Sequence, residues 1–101
     1  MREKLFENKI KRYLSTLPNS YHYKIWGGGL QQAGIPDILA CINGYFIAIE
    51  VKAEKGKPSP LQLREIKMIN GAGGMAVILY PKDFETFKAK LEEFTGVHSV
   101  Q

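Results

Sequence analysis

The stretch PDILACINGYFIAIEVK, Pro36 to Lys52, carries two strand-like runs, Pro36–Ile42 and Tyr45–Lys52, joined by Asn43-Gly44. An Asn-Gly pair between apolar runs is a strong hairpin signal, because both central residues of a type I′ turn need positive φ. A two-residue loop sets Ile42 opposite Tyr45, and counting back along both strands sets Asp37 directly opposite Glu50. Facing side chains of this kind have Cβ atoms about 5 Å apart. Side chains alternate between faces, so Glu50 and Lys52 share the Asp37 face about 7 Å apart. Towards the turn that face carries Leu39, Cys41, Phe46 and Ala48, and Cys41 reads as a core residue. The other face, Ile38, Ala40, Ile42, Tyr45, Ile47, Ile49 and Val51, is apolar and predicted to be buried.

The flanking segments supply the rest of an α/β domain. Residues 3–17 place Phe6, Ile10, Tyr13, Leu14 and Leu17 at helical spacing, and Pro18-Asn19-Ser20 ends that helix. Tyr21–Trp26 reads as a strand, followed by a flexible loop from Gly27-Gly28-Gly29 to Gly34. After the hairpin, Ala53–Pro58 is a charged loop. Ser59 is the N-cap and Pro60 the first residue of a second helix running to about Asn70, closed by Gly71-Ala72-Gly73-Gly74. Met75–Tyr80 is continuously apolar, as in a strand covered on both faces. Asp83 is placed to cap a last helix with a Phe84, Phe87, Leu91, Phe94 stripe, and residues from about Gly96 form a frayed tail. The order is αβββαβα. The first three strands form an antiparallel meander, and a right-handed crossover through the second helix makes the third and fourth parallel.

The chain has 101 residues, read as one domain over 1–101. Its hydrophobic fraction of 45% and charged fraction of 24% are ordinary for a soluble globular protein. The apolar runs are too short to span a bilayer, and the Met-Arg-Glu-Lys start lacks the apolar stretch of a signal peptide. The single cysteine, Cys41, excludes an internal disulfide and suits a reducing cytoplasm. Two distant histidines, His22 and His98, make no zinc spacing. A net charge of +4 is compatible with nucleic acid but does not single it out.

Two carboxylates facing each other across a hairpin destabilise a sheet and raise one another's pKa. A hard divalent cation relieves this, and magnesium is commonly bound by one or two carboxylates plus waters and phosphate oxygens. The hairpin register therefore points to Asp37, Glu50 and Lys52 as a metal-assisted reactive centre.

Pro36-Asp37 followed by Glu50-Val51-Lys52 resembles the PD-(D/E)xK nuclease superfamily. Gly34-Ile35-Pro36-Asp37, Glu50-Val51-Lys52 and Ser59-Pro60-Leu61-Gln62 together resemble its VRR-NUC family, which includes short stand-alone proteins of phages and bacteria. The resemblance spans roughly residues 3–80 in matching αβββαβ order, a restriction-endonuclease-like core of one mixed sheet flanked by helices, with a C-terminal helix added. It implies Mg²⁺ or Mn²⁺ held by Asp37, Glu50 and the Val51 backbone carbonyl, with Glu7 reaching the same site. It also implies that Lys52 orients or helps deprotonate the attacking water, and that Gln62 supports the site. The implied activity is endonucleolytic hydrolysis of DNA, selective for four-way (Holliday) or other branched structures. The implied actor is a homodimer in the cytoplasm of a bacterium or a phage-infected cell.

Each residue also has a plainer reading. Asp37 can shape the turn after Pro36, and Glu50 and Lys52 can be a solvated pair. Gln62 completes a Ser59-x-x-Gln62 capping box, although it shares a helical row with Ile66 and Ile69. Glu7 flanks the buried stripe, where a boundary salt bridge is common. Lys55, Lys57, Arg64 and Lys67 read mainly as a solvated face that could contact phosphate, and Gly27–Gly29 beside Trp26 as either a lip admitting DNA or an ordinary loop. The competing functional class is a non-catalytic DNA-binding module that retains the nuclease fold. An RNA-directed or exonucleolytic enzyme is a remoter alternative.

Overall fold

The Asn43-Gly44 turn forms as its sequence requires, with φ of 52° and 86°. In the computed structural model, which describes residues 2–26 and 33–99, the turn joins β2 (Ile38–Ile42) to β3 (Tyr45–Val51). The antiparallel ladder runs from Ile42 opposite Tyr45 to Ile38 opposite Ile49. The remaining elements are α1 (Glu3–Leu14), β1 (Ser20–Lys24), α2 (Pro60–Gly71), β4 (Met75–Leu79), a 3₁₀ turn over Pro81–Asp83 and α3 (Phe84–Thr95). Among the described residues this is a four-stranded mixed sheet in the order β1-β2-β3-β4. β1 and β2 pair antiparallel, and β3 and β4 pair parallel, giving the expected αβββαβα order.

Alternation along the strands decides what lies on each face. Ile38, Ala40 and Ile42 of β2 and Ile47, Ile49 and Val51 of β3 are buried against Phe6, Ile10, Tyr13 and Leu14 of α1 and Phe84, Phe87 and Leu91 of α3. Burying such a side chain stabilises by roughly 1.5–3 kcal/mol, so a one-residue slip in the β2–β3 register would turn this whole set to the wrong face. α2 covers the other face at its β3–β4 end, with Gln62 reaching Glu50 and Ile69 lying against Gly74 beside Phe46. β4 is consequently covered on both sides, although Met75, Val77 and Ile78 are only half-buried because it is an edge strand.

Several sequence expectations are corrected at element ends. α1 stops at Leu14, and a pair of turns carries the chain to a still-buried Leu17. Cys41 is exposed, not a core residue, because α2 lies over β3 and β4 and leaves the β1–β2 side of that face open. Tyr45 and Phe94 are partly exposed and pack on each other, ring centroids 5.0 Å apart. Asp83 makes no side-chain cap hydrogen bond to α3; the 3₁₀ turn enters the helix instead, and the Asp83 side chain pairs with Lys82. The tail expected to fray from about Gly96 is anchored at its start: Gly96 closes α3 in the left-handed conformation and Val97 is buried. The loop proposed at Gly27–Gly29 lies outside the described residues. No described helix is long and apolar enough to cross a membrane.

Candidate functional site

Continuing the β2–β3 register one step past Ile38 and Ile49 brings Asp37 opposite Glu50, at the open end of the hairpin. Asp37 lies just beyond β2, where its backbone carbonyl accepts a 2.8 Å hydrogen bond from Ile25 N. Its Oδ2 accepts one from Val51 N, also 2.8 Å. A side chain thus takes the ladder position that a main-chain carbonyl would otherwise fill. The next step places Pro36 opposite Val51. Proline has no N–H, so β2 offers the Val51 carbonyl no donor from that position.

Glu50 is 3% exposed. Its Oε2 accepts a 2.9 Å hydrogen bond from Gln62 Nε2 and lies 3.3 Å from Lys52 Nζ. Its Oε1 is buried with no hydrogen-bond partner among the described residues. Burial, then the neighbouring Asp37 charge, pushes the Glu50 carboxyl up to about 7, against the opposing pull of Lys52. A buried carboxylate with one oxygen unpartnered is costly unless a cation or donor completes it.

Lys52 is held by its stem as well as its charge. The stem runs past Gly56, where an added Cβ would come within 3.2 Å of Lys52 Cδ. Tyr80 OH donates to the Gly56 carbonyl at 2.9 Å, tying the loop after β3 to the end of β4. Gln62 serves both readings at once. Its Oε1 accepts from Ser59 N at 2.8 Å and its backbone N–H donates to Ser59 Oγ at 3.1 Å, a complete capping box, while its Nε2 turns to Glu50.

Glu7 is buried, as its place beside the α1 stripe allows, but cations surround it. Lys24 Nζ donates to its Oε1 at 2.8 Å, and Lys4 and Lys11 lie 3.2 and 3.5 Å from its Oε2. Burial would raise the Glu7 carboxyl; hydrogen bonds from Lys24 and Lys4, with their charges, outweigh this and hold it below the usual range. Lys24 also lies 3.8 Å from Asp37 Oδ1, so it joins Glu7 to the hairpin carboxylates. Sequence reading missed Lys24 because its place depends on the β1–β2 register, and the 25–36 connection has no turn signal that sets one. In the sequence Gly34 reads as the end of a loop and the start of the Gly34-Ile35-Pro36-Asp37 motif, with nothing to show its contact with α2. Its φ is +90°, and an added Cβ would stand 2.7 Å from the Leu61 carbonyl oxygen, so the Asp37 approach and the start of α2 touch through a bare glycine.

The donor set fits a small hard cation. Asp37, Glu50 and the Val51 carbonyl offer oxygen ligands, and the unpartnered Glu50 Oε1 and the raised Glu50 carboxyl both call for positive charge. Among the described residues no three His, Cys, Asp or Glu side chains converge as a ready-made cage. Magnesium often uses only one or two carboxylates and completes its shell with water and phosphate. Lys55, Lys57, Arg64 and Lys67 are all exposed, the solvated face expected of them.

No family model matches the sequence, and no curated protein matches it. Among solved structures the chain is similar to Archaeoglobus fulgidus Hjc, a Holliday junction resolvase from an archaeal hyperthermophile. The TM-score is 0.57 and the identity 23%, over 76% of this chain and 66% of that one. The chain thus spans just under two thirds of the archaeal protein's length. The fold of this chain is like that of the archaeal resolvase.

Proposed function

We propose that this chain forms one VRR-NUC-like domain, a divalent-metal-dependent endonuclease that hydrolyses DNA phosphodiester bonds, selective for four-way or other branched DNA. The opposition of Asp37 and Glu50, with Lys52 beside Glu50, is the observation that carries this reading. Its place on a fold like that of an archaeal Holliday junction resolvase supports it.

In this reading Asp37, Glu50 and the Val51 carbonyl hold Mg²⁺ or Mn²⁺. When bound, such an ion supplies Lewis acidity and lowers the pKa of a coordinated water. Lys52 sits 3.3 Å from Glu50 Oε2, where its ammonium can orient the attacking water and donate to a phosphate oxygen as negative charge builds there. Gln62 keeps Glu50 in one rotamer by binding Oε2, which leaves Oε1 for the cation. Glu7 is linked to Asp37 through Lys24. The mildly basic charge, with no dedicated base-reading element among the described residues, favours phosphate contacts and recognition of DNA shape. Two copies related by a two-fold axis would cut both strands of a symmetric junction, and we propose a homodimer on that ground. A bacterial cell or a phage-infected host is the setting that this activity suits.

Cleavage of end-labelled four-way junction, compared with matched linear duplex in Mg²⁺, Mn²⁺ or EDTA, tests the reading. Metal-dependent cuts at the junction, lost in a folded Asp37→Ala protein, are the expected result. Wild-type protein that binds the junction but never cuts it would instead be a DNA-binding module on a nuclease fold.

A further inference from the structure

Lys24 lies beside Asp37, a proposed metal ligand, and its only part in the catalytic reading is to link Glu7 to that carboxylate. It leaves β1 opposite Ile38, and its side chain is 18% exposed. Its Nζ stands 2.8 Å from Glu7 Oε1 and 3.8 Å from Asp37 Oδ1, with the Trp26 ring on another side, 5.8 Å to the centroid. Asp37 spends its other oxygen on Val51 N, so Oδ1 is the atom left for an external cation. An ammonium held beside Oδ1 and a divalent ion bound to it repel each other.

We infer that Lys24 is a positioning residue, a built-in counter-ion that competes with the divalent ion for Asp37 and is held partly aside by Glu7. The inference rests on the proposal that Asp37 and Glu50 bind that ion. The Lys24–Glu7 distance is the shorter by about an ångström, so Glu7 is the anchor and Asp37 the contested partner. Glu7 is an anchor that stays charged, because Lys4 and Lys11 also pair with it. Lys24 thereby weakens metal binding, and Glu7 limits how much. Glu7 influences the metal site without being a ligand.

Mn²⁺ binding to the full chain, read from the loss of the free-ion electron paramagnetic resonance signal and without DNA or turnover, tests this. Lys24→Met should raise Mn²⁺ affinity roughly 5-fold, the scale of one partly exposed ion pair, and Lys24→Arg should restore the wild-type value. Glu7→Gln should lower affinity in the wild-type background but change it little in the Lys24→Met background. Lys4→Met, which removes a charge from Glu7 without touching Asp37, should leave affinity near wild type.

Three outcomes overturn the inference: an unchanged or lower affinity in folded Lys24→Met, an equal rise in Lys4→Met, or a Glu7→Gln loss as large without Lys24 as with it. The last would make Glu7 a direct ligand. The proposed function fails separately, and takes this inference with it, if wild-type protein binds no Mn²⁺ or if Asp37→Ala binds it equally well.

Discussion

Gln62 Nε2 donates to Glu50 Oε2 at 2.9 Å while Gln62 Oε1 accepts from Ser59 N at 2.8 Å. One amide therefore closes the N-terminal cap of α2 and fixes a buried carboxylate on β3. The cap decides the orientation of the amide: with its oxygen on the Ser59 N–H, only the NH₂ can face Glu50.

That orientation separates the two roles by mutation. Gln62→Glu keeps the acceptor for Ser59 N, and glutamate is an ordinary capping-box residue, but it sets a third carboxylate beside Glu50. It should keep the α2 cap, whose loss would cost about 0.5–2 kcal/mol, but repulsion of Glu50 should lower stability and cut the cleavage rate about 10- to 100-fold, the usual cost of a lost supporting contact. Thermal unfolding and junction cleavage measured on the same preparation check this. Full activity in Gln62→Glu would leave Gln62 with the cap alone.

Glu50 should be held at a cost to the metal-free fold. At pH 8 its carboxyl is charged, buried and beside Asp37, with one oxygen unpartnered. Glu50→Gln removes the charge and keeps the shape. We expect it to stabilise the metal-free protein by about 1–2 kcal/mol, the range for relieving an incompletely satisfied buried group, while abolishing cleavage. Urea unfolding in EDTA measures the first effect. A variant less stable than wild type there would mean that the Lys52 and Gln62 contacts already satisfy the charge.

Gly34→Ala should damage the site from outside it. The position needs positive φ, and the new Cβ would collide with the Leu61 carbonyl oxygen at 2.7 Å. Left-handed strain alone costs about 1–2 kcal/mol for a residue bearing a Cβ, and relieving the clash must move either the Asp37 approach or the start of α2. Both lower stability and weaker Mn²⁺ binding are expected. Gly44→Ala serves as the control, because its φ is +86° but nothing lies within 4 Å of its Cβ. It should lose stability without losing metal affinity.

The far end of the molecule has its own pH dependence. Tyr13 OH donates to Glu92 Oε2 at 2.7 Å. That bond, helped by His98 and Ser99 N against some burial, holds the Glu92 carboxyl below its ordinary value. A carboxyl lowered by folding contributes stability in full above its unfolded pKa and loses it as pH falls through the folded one. Tyr13→Phe should therefore cost about 1 kcal/mol near neutral pH, typical for a partly exposed hydrogen bond to a charged group. The gap from wild type should narrow as acid protonates Glu92 first in the unfolded chain and then, at lower pH, in the folded one. Denaturation at pH 7 and pH 3 compares the two.

Legibility in the sequence followed the range of the interaction. The Asn43-Gly44 turn and the period-two pattern either side of it are local, and a two-residue loop permits one register. The placing of Asp37 against Glu50, with Lys52 on the same face, was therefore available from residues 36–52 alone. So was the Ser59–Gln62 capping box, which spans one helical turn. The αβββαβα order likewise follows from caps, turns and periodicity. Contacts between segments joined by longer connections were not available in this way. The approach of Lys24 to Glu7 and Asp37, the meeting of Gly34 with Leu61, and the exposure of Cys41 and Tyr45 depend on how β1 registers on β2 and where α1, α2 and α3 settle on the sheet. Those placements are decided by side-chain packing across the whole core. The sequence by itself thus determined a hairpin bearing two opposed carboxylates with Lys52 on their face, and only the tertiary structure decided that Lys24 stands between Asp37 and Glu7.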